Sequence, residues 1–323
     1  MRAVVCSELA PPEALVVETR PSPVCGPGQV RIHVAAAGVN YVDGLFVQGL
    51  YQIKPPLPFV PGSELAGTIT EVGSDVAGWS LADRVIANVG LGAYCDEIVV
   101  DASQLTRVPD ELDLTTAAAV GQSYCTAWFS LHHRAGLKPG GWLLILGAAG
   151  GVGLACIDVG RALGANVIAA ASTPEKLALC VERGATATID TSSESVKDRA
   201  RELSGGGVDV AIDPVGGPLS EQALRALGFD GQLVIVGFAS GEIPSLPANQ
   251  VLLRNRRVTG VDWGAWAMAD PASNAKMFGD LLAKVADGTL SPVAPTTYPL
   301  EEAGRALRDL LDRKVAGKVV LVP

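Results

Sequence analysis

The stretch WLLILGAAGGVG, residues 142–153, joins a short apolar run to a glycine-rich turn and to the start of an apolar-periodic segment. The run predicts a buried strand over 142–146, and the segment after the turn predicts a helix over 151–163. Glycines let backbone N–H groups approach a pyrophosphate, and a helix N-terminus adds partial positive charge. The turn therefore indicates a dinucleotide site, with contacts expected at Ala149, Gly150, Gly151 and Val152.

The glycine spacing alone is weak support for such a site. Ala148 stands where the fingerprint G-x-G-x-x-G has its first glycine, and Gly150 and Gly153 follow at the right spacing. A plain strand-to-helix turn has the same pattern, so the neighbouring sequence decides between the two interpretations. Strands are predicted at 166–171, 187–189, 208–212, 232–236 and 258–261, with helices between them at 174–183, 193–203 and 219–227. This alternation predicts a doubly wound parallel sheet.

Length and composition limit the possible functions. The chain has 323 residues, enough for two domains, and its formal charge of −9 argues against nucleic-acid or membrane partners. The N-terminus lacks a signal-peptide pattern and no charge-free apolar run approaches the length of a membrane span, so a cytoplasmic protein is expected. The six cysteines lack C-x-x-C spacing, so neither a disulfide framework nor a zinc ribbon is expected. The tandem His132 and His133 cannot share a helix face, so they are not expected to bind a metal together.

The regions outside the parallel sheet predict a second domain. Short strands broken by turns are predicted before residue 121, at 29–37, 65–72, 84–87 and 94–100, with a short helix near 42–47. An amphipathic helix over 301–313 and a last strand over 317–322 need another core to pack on. We therefore expect an α/β protein with a β-rich domain, 1–122, to which 263–323 returns, and a nucleotide-binding domain, 123–262.

Several stretches in family order resemble the medium-chain dehydrogenase/reductase superfamily, and within it the zinc-free NADPH:quinone oxidoreductases of the zeta-crystallin-like branch. Besides the AAGGVG turn they are GVNYVDGLFVQGLY (38–51), PFVPGSELAGTITEVG (58–73), VDVAIDPVGG (208–217), VTGVDWGAW (258–266) and AGKVVLVP (316–323). The resemblance implies a GroES-like catalytic domain, a Rossmann domain, an active-site cleft between them and commonly a homodimer.

The positions that hold zinc in related alcohol dehydrogenases carry other residues here. The cysteine and histidine ligands correspond to Asn40 and Ser63, and the third ligand position falls near Gln122. An amide and a hydroxyl are poor ligands for zinc, which prefers thiolate and imidazole. Glu64 is kept, but one carboxylate does not hold a metal. No zinc is expected.

Without a Lewis acid, oxidation of an alcohol lacks the group that stabilises its alkoxide. A quinone or enone delocalises the incoming negative charge itself, so the enzyme needs to position the acceptor and donate hydrogen bonds to its oxygen. By resemblance the catalytic candidates are Asn40, Asp43 and Tyr51, with Asn40 or Tyr51 as the donor. Structural roles stay open: a turn for Asn40, a helix cap for Asp43 and packing for Tyr51. Val47 stands where relatives often carry arginine.

The residues after the second strand favour NADPH over NADH. Ser172 stands where NAD enzymes of this fold usually place an acid, about 20 residues beyond the turn. Ser172, Thr173 and Lys176 offer hydroxyls and a positive charge for the 2′-phosphate. Glu175 is expected to point to solvent, and Thr191 replaces a tyrosine that resembling enzymes often use there.

Further cofactor contacts are expected at the ends of later strands and on the helix leading into the sheet: Asp213, Val215, Gly237, Phe238, Ala239 and Thr126. For Asp213 a simple helix cap is the alternative.

The favoured function is an NADPH-dependent reductase of a small quinone or enone. Two alternatives stay open: an enoyl thioester reductase with Tyr51 as donor, and a nucleotide-binding, crystallin-like protein without relevant catalysis.

Overall fold

The computed structural model describes residues 1–323, which form two units. The first unit contains residues 1–122, 275–288 and 292–323, and the second contains 123–274 and 289–291. The sequence pattern places 263–274 with the first unit, whereas the structure groups them with the second. Side-chain contacts explain the difference, because Trp266 packs its ring 4.8 Å from that of Phe129. Within the segment itself, Trp263 Nε1 donates to Asn274 Oδ1 at 2.9 Å.

The N-terminal part of the first unit is mostly strand. Its elements are β1 (Arg2–Val5), β2 (Val16–Thr19), β3 (Gln29–Val39), α1 (Tyr41–Val47), β4 (Glu64–Val72), β5 (Arg84–Asn88), β6 (Glu97–Asp101), β7 (Leu105–Arg107) and α2 (Leu114–Ala117). In β3 the side chains of Val30, Ile32 and Val34 are buried and alternate with less buried neighbours. This period of two is the pattern of a strand with one face on a core.

The second unit alternates strands and helices. Its elements are α3 (Gly121–Trp128), which begins in the first unit's residues, β8 (Trp142–Leu146), α4 (Gly151–Ala162), β9 (Asn166–Ala171), α5 (Pro174–Glu182), β10 (Ala187–Asp190), α6 (Val196–Leu203), β11 (Val208–Asp213), α7 (Pro218–Ala226), β12 (Leu227–Ile235), α8 (Ala248–Leu252), β13 (Arg257–Gly260) and α9 (Trp263–Ala269). A π-helical turn, Phe129–Arg134, continues α3.

Six parallel strands form the sheet of this unit in the order β10-β9-β8-β11-β12-β13. The chain therefore runs outward from β8 in one direction, and then outward from β11 in the other. The carboxyl ends of β8 and β11 lie at the point where the order reverses, which is where open α/β sheets bind ligands. Leu143–Leu146 of β8 are fully buried, as expected of a strand covered by helices on both faces. The doubly wound class predicted from the sequence is confirmed.

The last part of the chain contains α10 (Pro271–Ala286), β14 (Thr296–Pro299), α11 (Ala303–Leu311) and β15 (Val319–Val322). The sequence pattern does not predict α9, α10 or β14. The strands β14 and β15 complete the first unit's seven-stranded sheet, whose order is β14-β15-β3-β4-β5-β7, with β6 also paired to β3. In the antiparallel pairing of β15 with β3, Val319 lies opposite Val39. This register brings the start of β15 beside the end of β3.

None of the helices combines the length and the apolar composition that crossing a bilayer requires.

Candidate functional site

Asn40 stands between β3 and α1, and its backbone is held by the third residue of that helix. The Asn40 backbone N–H donates to Asp43 Oδ2 at 2.8 Å, and the Tyr94 hydroxyl donates to the same oxygen at 2.9 Å. A side chain that reaches back to the residue preceding its helix satisfies a donor that the helix itself leaves free. Asp43 and Tyr94 therefore fix the position of Asn40.

Asp43 is fully buried, and its second carboxylate oxygen, Oδ1, has no hydrogen-bond partner. Burial raises the pKa of this carboxyl to about 7, while the two donated hydrogen bonds oppose the shift. Burial and the nearby Asp43 charge raise the pKa of the Tyr94 hydroxyl well above its ordinary value. The structure thus places Asp43 beneath the start of α1, in the capping role that the sequence left open.

The Asn40 side-chain amide lies between a cation and an anion. Lys318 Nζ donates to Asn40 Oδ1 at 2.5 Å, and Asn40 Nδ2 donates to Glu64 Oε1 at 2.9 Å. An ammonium group only donates and a carboxylate only accepts, so the two partners leave one orientation of the amide. The second Nδ2 hydrogen is directed at Ser63 Oγ, 3.3 Å away.

Glu64 and Lys318 form a buried ion pair. Their side chains are 0% and 10% exposed, and Lys318 Nζ lies 2.6 Å from Glu64 Oε1. The other carboxylate oxygen, Oε2, accepts the backbone N–H of Gln122 at 2.7 Å. A buried ion pair is tolerated when its remaining hydrogen-bonding groups are satisfied, and these contacts satisfy both oxygens of Glu64.

Ser63 and Gln122 extend the same group. Ser63 Oγ donates to Gln122 Oε1 at 2.8 Å. We call the five residues Asn40, Ser63, Glu64, Gln122 and Lys318 the Asn40 cluster, all of which belong to the first unit. The structure therefore brings together the three positions that the resemblance compared with metal ligands, although they are spread over the chain from residue 40 to residue 122.

Lys318 and Tyr94 were not selected from the sequence. A signal for Lys318 exists, because it is the one charge directly before the apolar run VVLV of the last strand. Its proximity to Asn40 depends on the pairing of β15 with β3, which the sequence pattern does not specify. Tyr51, the third catalytic candidate, lies after α1 and packs its ring 4.7 Å from that of Phe46.

In the second unit the glycine-rich turn leads from β8 into α4 as predicted. Gly150 precedes the helix, and no side chain caps this end. The first N–H groups of a helix have no partner within it, so those of Gly151 and Val152 remain available to a ligand. A Cβ on Gly153 would lie 2.5 Å from the carbonyl oxygens of Gly147 and Ala148. The third glycine of the pattern is therefore required for close packing of α4 on the turn.

The residues expected at the 2′-phosphate follow β9. Ser172 is exposed, and Thr173 caps α5 by accepting the Lys176 backbone N–H at 3.3 Å. Glu175 is exposed, and its carboxylate lies near the Thr173 hydroxyl. Its own backbone N–H and this hydroxyl lower the pKa of Glu175. An ionised carboxylate thus lies beside the hydroxyl proposed for the phosphate.

Asp213 ends β11 and is buried. Its Oδ1 accepts the backbone N–H groups of Val215 and Gly216, both at 2.9 Å, and the Ser220 hydroxyl donates to Oδ2. The carboxylate therefore shapes the turn into α7, the capping role that the sequence left as an alternative. In the same turn Val215 is half-buried.

The remaining cofactor candidates lie near strand ends or on α3. Ala239, after β12, donates its backbone N–H to Pro214 O at 3.0 Å, which ties the ends of β11 and β12 together. Gly237 and Phe238 precede it on the same sheet edge as the glycine-rich turn, and Phe238 is exposed. Thr126 lies on α3, half-buried, and its carbonyl accepts the Ser130 hydroxyl at 2.6 Å.

Two families of known proteins match parts of the chain. The family described as alcohol dehydrogenase GroES-like domain matches residues 26–110, and the family described as zinc-binding dehydrogenase matches 151–278. The chain is 42% identical to the quinone oxidoreductase-like protein 2 homolog of Nematostella vectensis, over 99% of this chain and 88% of that protein. The chain belongs to the quinone oxidoreductase family of the medium-chain dehydrogenase/reductases.

Solved structures of this family have the same fold over the whole chain. The quinone oxidoreductase of Escherichia coli, complexed with NADPH, aligns with a TM-score of 0.91 and 27% identity, and each chain is covered completely. That of Thermus thermophilus, solved alone and with NADPH, aligns with a TM-score of 0.86 and 32% identity, again with complete coverage. The mixed architecture of a GroES-like unit and a Rossmann unit is thereby confirmed.

One of the matched families is described as zinc-binding, and the donor set here does not fit that metal. Two amides and a hydroxyl occupy the corresponding positions, and these groups hydrogen-bond to one another. The only carboxylate of the cluster is paired with Lys318. No three histidine, cysteine or acidic side chains come together in a way that suits a metal ion. Zinc prefers thiolate and imidazole ligands, so we derive no chemistry through it.

Proposed function

We propose that the protein is a metal-independent oxidoreductase that uses NADPH to reduce a quinone or a related α,β-unsaturated carbonyl compound. The observation that carries the proposal is the Asn40 cluster. At the positions that correspond to zinc ligands in related alcohol dehydrogenases, the cluster has the neutral hydrogen-bonding groups of Asn40, Ser63 and Gln122. Such donors suit an acceptor that delocalises its own negative charge, and they do not suit an alcohol that needs a Lewis acid.

The second unit has the features that NADPH binding requires. The open N-terminus of α4 offers backbone N–H groups to the pyrophosphate, and Gly153 allows the close packing of the turn. We assign the 2′-phosphate to Ser172, Thr173 and Lys176. We assign the rest of the nucleotide to the strand ends and to α3, at Ala149, Gly150, Gly151, Val152, Val215, Gly237, Phe238, Ala239 and Thr126. When bound, NADPH supplies the hydride.

The first unit stabilises the oxygen of the acceptor. As the acceptor takes up the hydride its oxygen gains negative charge, and preorganised amide or hydroxyl donors lower the energy of that state. Asn40 is held by Asp43 through its backbone and by Lys318 and Glu64 through its side chain. We therefore propose that Asp43 positions the site without touching the acceptor. Tyr51, packed on Phe46, is proposed as an aromatic wall for the acceptor ring.

The assignment of the 2′-phosphate is tested by Lys176→Ala. Loss of a cation at the phosphate removes a charge-assisted contact that NADH does not make. We expect the dissociation constant of NADPH to rise about tenfold, with that of NADH nearly unchanged, in titrations of nicotinamide fluorescence. Lys138→Ala, at an exposed lysine of the same unit, is the control and should change neither. Equal weakening of both nucleotides would show that Lys176 does not contact the phosphate.

The choice of acceptor is tested by comparing phenanthrenequinone with crotonyl-CoA, each with NADPH. Rapid turnover of the quinone supports the proposal. Activity on the thioester alone would instead indicate an enoyl thioester reductase. This enzyme class is the second candidate because Tyr51 could serve as its hydrogen-bond donor. Absence of NADPH oxidation with a panel of quinones and enones would favour a nucleotide-binding protein of the crystallin type.

We also propose that the protein forms a homodimer through the edge of the parallel sheet. The outer strand β13 has no neighbour on one side, and Val258 on it is 41% exposed. An open strand edge with an exposed apolar residue favours pairing with another copy. Sedimentation equilibrium should give twice the mass of one chain, and Val258→Lys should shift the protein towards the monomer.

A further inference from the structure

We propose that the side-chain amide of Gln122 is the group that donates to the carbonyl oxygen of the acceptor, as the last member of a one-way hydrogen-bond chain that starts at Lys318. This inference rests on the proposed function and deepens it, because it names the donor. The sequence left that role to Asn40 or Tyr51. The structure supplies the directions of the hydrogen bonds, and these point to a different residue.

The chain has a fixed direction at its start. Lys318 Nζ is a donor without acceptor capacity, so its contact at 2.5 Å on Asn40 must be to the amide oxygen. On the other side of the same amide, Glu64 Oε1 can only accept, so Asn40 must present its nitrogen there, at 2.9 Å. The cation and the anion are themselves paired at 2.6 Å, which holds both in place.

Asn40 has no hydrogen left for a substrate in this arrangement. Its Nδ2 carries two hydrogens, one directed at Glu64 Oε1 and the other at Ser63 Oγ. Donation to an acceptor oxygen would break a hydrogen bond to a buried carboxylate, which is among the stronger contacts in a protein. Asn40 therefore accepts from Lys318 and donates to Ser63, which continues the chain in one direction.

Ser63 continues the hydrogen-bond chain in the same direction. Its hydroxyl has a single hydrogen, and this is donated to Gln122 Oε1 at 2.8 Å, while the Ser63 oxygen faces the Asn40 nitrogen. With its oxygen held by Ser63, Gln122 turns its nitrogen away from the chain. No protein acceptor contacts Gln122 Nε2, so both of its hydrogens are available.

The backbone of Gln122 is fixed by the same carboxylate that orients Asn40. Glu64 Oε2 accepts the Gln122 backbone N–H at 2.7 Å. The first and last residues of the hydrogen-bond chain, Lys318 and Gln122, therefore both contact Glu64. Gln122 itself is only half-buried, unlike Asn40 and Glu64, and can therefore reach a small molecule. Hydrogen bonds in series polarise one another, so the charge on Lys318 makes the terminal amide a better donor.

The test uses two substitutions that affect the terminal amide differently. Gln122→Glu keeps an oxygen for the Ser63 hydroxyl but, when ionised at about pH 8, removes the donor and adds a negative charge. Gln122→Met removes the donor without adding a charge. Loss of one oxyanion donor costs on the order of 100-fold in kcat. We expect kcat/KM for phenanthrenequinone to fall about 100-fold in Gln122→Met, and further in Gln122→Glu.

Gln104→Glu makes the same change of charge at an exposed glutamine of the first unit and should keep the wild-type value. The dissociation constant of NADPH should stay within about twofold of wild type in all three variants, which separates loss of the donor from loss of the fold. A kcat/KM of Gln122→Met or Gln122→Glu within about threefold of wild type would overturn the inference.

A spectroscopic measurement checks the contact without turnover. Donation to the carbonyl of benzoquinone lowers its stretching frequency, so the infrared spectrum of the quinone bound with NADP⁺ should show a shift in the wild type that is lost in Gln122→Met. A shift that survives in the variant would show that another residue donates. If the wild type neither binds nor reduces quinones, the proposed function fails and this inference with it. If it reduces quinones and the Gln122 variants keep a kcat/KM within about threefold of wild type, only this inference fails.

Discussion

Asp43 is a carboxyl group without access to water, and its state of protonation is tied to folding. Burial raises its pKa to about 7 in the folded protein, compared with about 3.9 in an unfolded chain. Between these values the folded state keeps a proton that the unfolded state has lost, so stability falls as the pH rises from about 4 through about 7. The groups that face Asp43 are Tyr94, Lys318 and Glu64.

Asp43→Asn removes this titration while keeping an oxygen for the Asn40 N–H and the Tyr94 hydroxyl. We expect the free energy of unfolding in urea to decline less between about pH 5 and pH 8 in Asp43→Asn than in the wild type. Asp110→Asn, at an exposed carboxylate of the same unit, should follow the wild-type profile. Parallel profiles for wild type and Asp43→Asn would mean that Asp43 is already ionised in the folded protein at pH 5.

Lys318 is needed because Glu64 is buried. Lys318→Met leaves the carboxylate without its cation, and breaking a buried pair in this way costs about 3–5 kcal/mol. We expect the free energy of unfolding to fall by this amount. The double variant Lys318→Met with Glu64→Gln carries neither charge of the pair and should recover a large part of the loss. A double variant no more stable than Lys318→Met would show that the lost methylene packing, rather than the unpaired charge, is responsible.

At the scale of elements, the sequence predicts the second unit better than the first. The parallel strands are continuous apolar runs separated by helical segments, and such patterns depend only on neighbours in the chain. Helix α7 and strand β12 illustrate the limit, because the strand begins at Leu227 directly after the helix, well before the predicted start at Gln232. The register of β11 against β12 shifts between Val208 and Val210, and this irregularity accommodates the extra length.

The candidate site depends on contacts that neighbours do not determine. Asn40, Ser63 and Gln122 were selected by comparison of motifs, and the structure joins them by hydrogen bonds. Lys318 lies 278 residues from Asn40 in the sequence and meets it only because β15 pairs with β3. A single lysine before an apolar strand does not indicate which strand lies beside it. The direction of the hydrogen bonds, which singles out Gln122, was therefore beyond prediction.

The close packing of α4 on the glycine-rich turn can be tested at Gly153. In Gly153→Ala the added Cβ would meet the carbonyl oxygens of Gly147 and Ala148, both backbone atoms that cannot turn aside. Overpacking of this kind costs about 1–3 kcal/mol and would displace α4 from the turn. We expect weaker binding of NADPH together with a lower free energy of unfolding.

Gly279→Ala is the matched control, because Gly279 lies within α10 and a Cβ there meets nothing within 4 Å. That substitution should be neutral or stabilise the protein by up to about 1 kcal/mol, since alanine favours helices. If Gly153→Ala behaves in the same way, the turn does not hold α4 as closely as the structure indicates.

For the whole molecule, the donor set predicts independence from metals. The amides and the hydroxyl of the Asn40 cluster already bind one another, and Glu64 is paired with Lys318. We expect elemental analysis of the purified protein to find far less than one zinc per chain, and we expect incubation with a chelator to leave quinone reduction unchanged. Zinc at one per chain, with activity lost on its removal, would contradict the argument from the ligands.

In the proposed reaction, hydride passes from NADPH to a quinone without a metal. This transfer is tested most directly by single-turnover mixing of chelator-treated protein and phenanthrenequinone with NADPH, either unlabelled or deuterated at its transferable hydrogen. We expect rapid oxidation of NADPH with a primary isotope effect, unchanged by the chelator. No oxidation of NADPH, or oxidation that appears only when zinc is added, would contradict it.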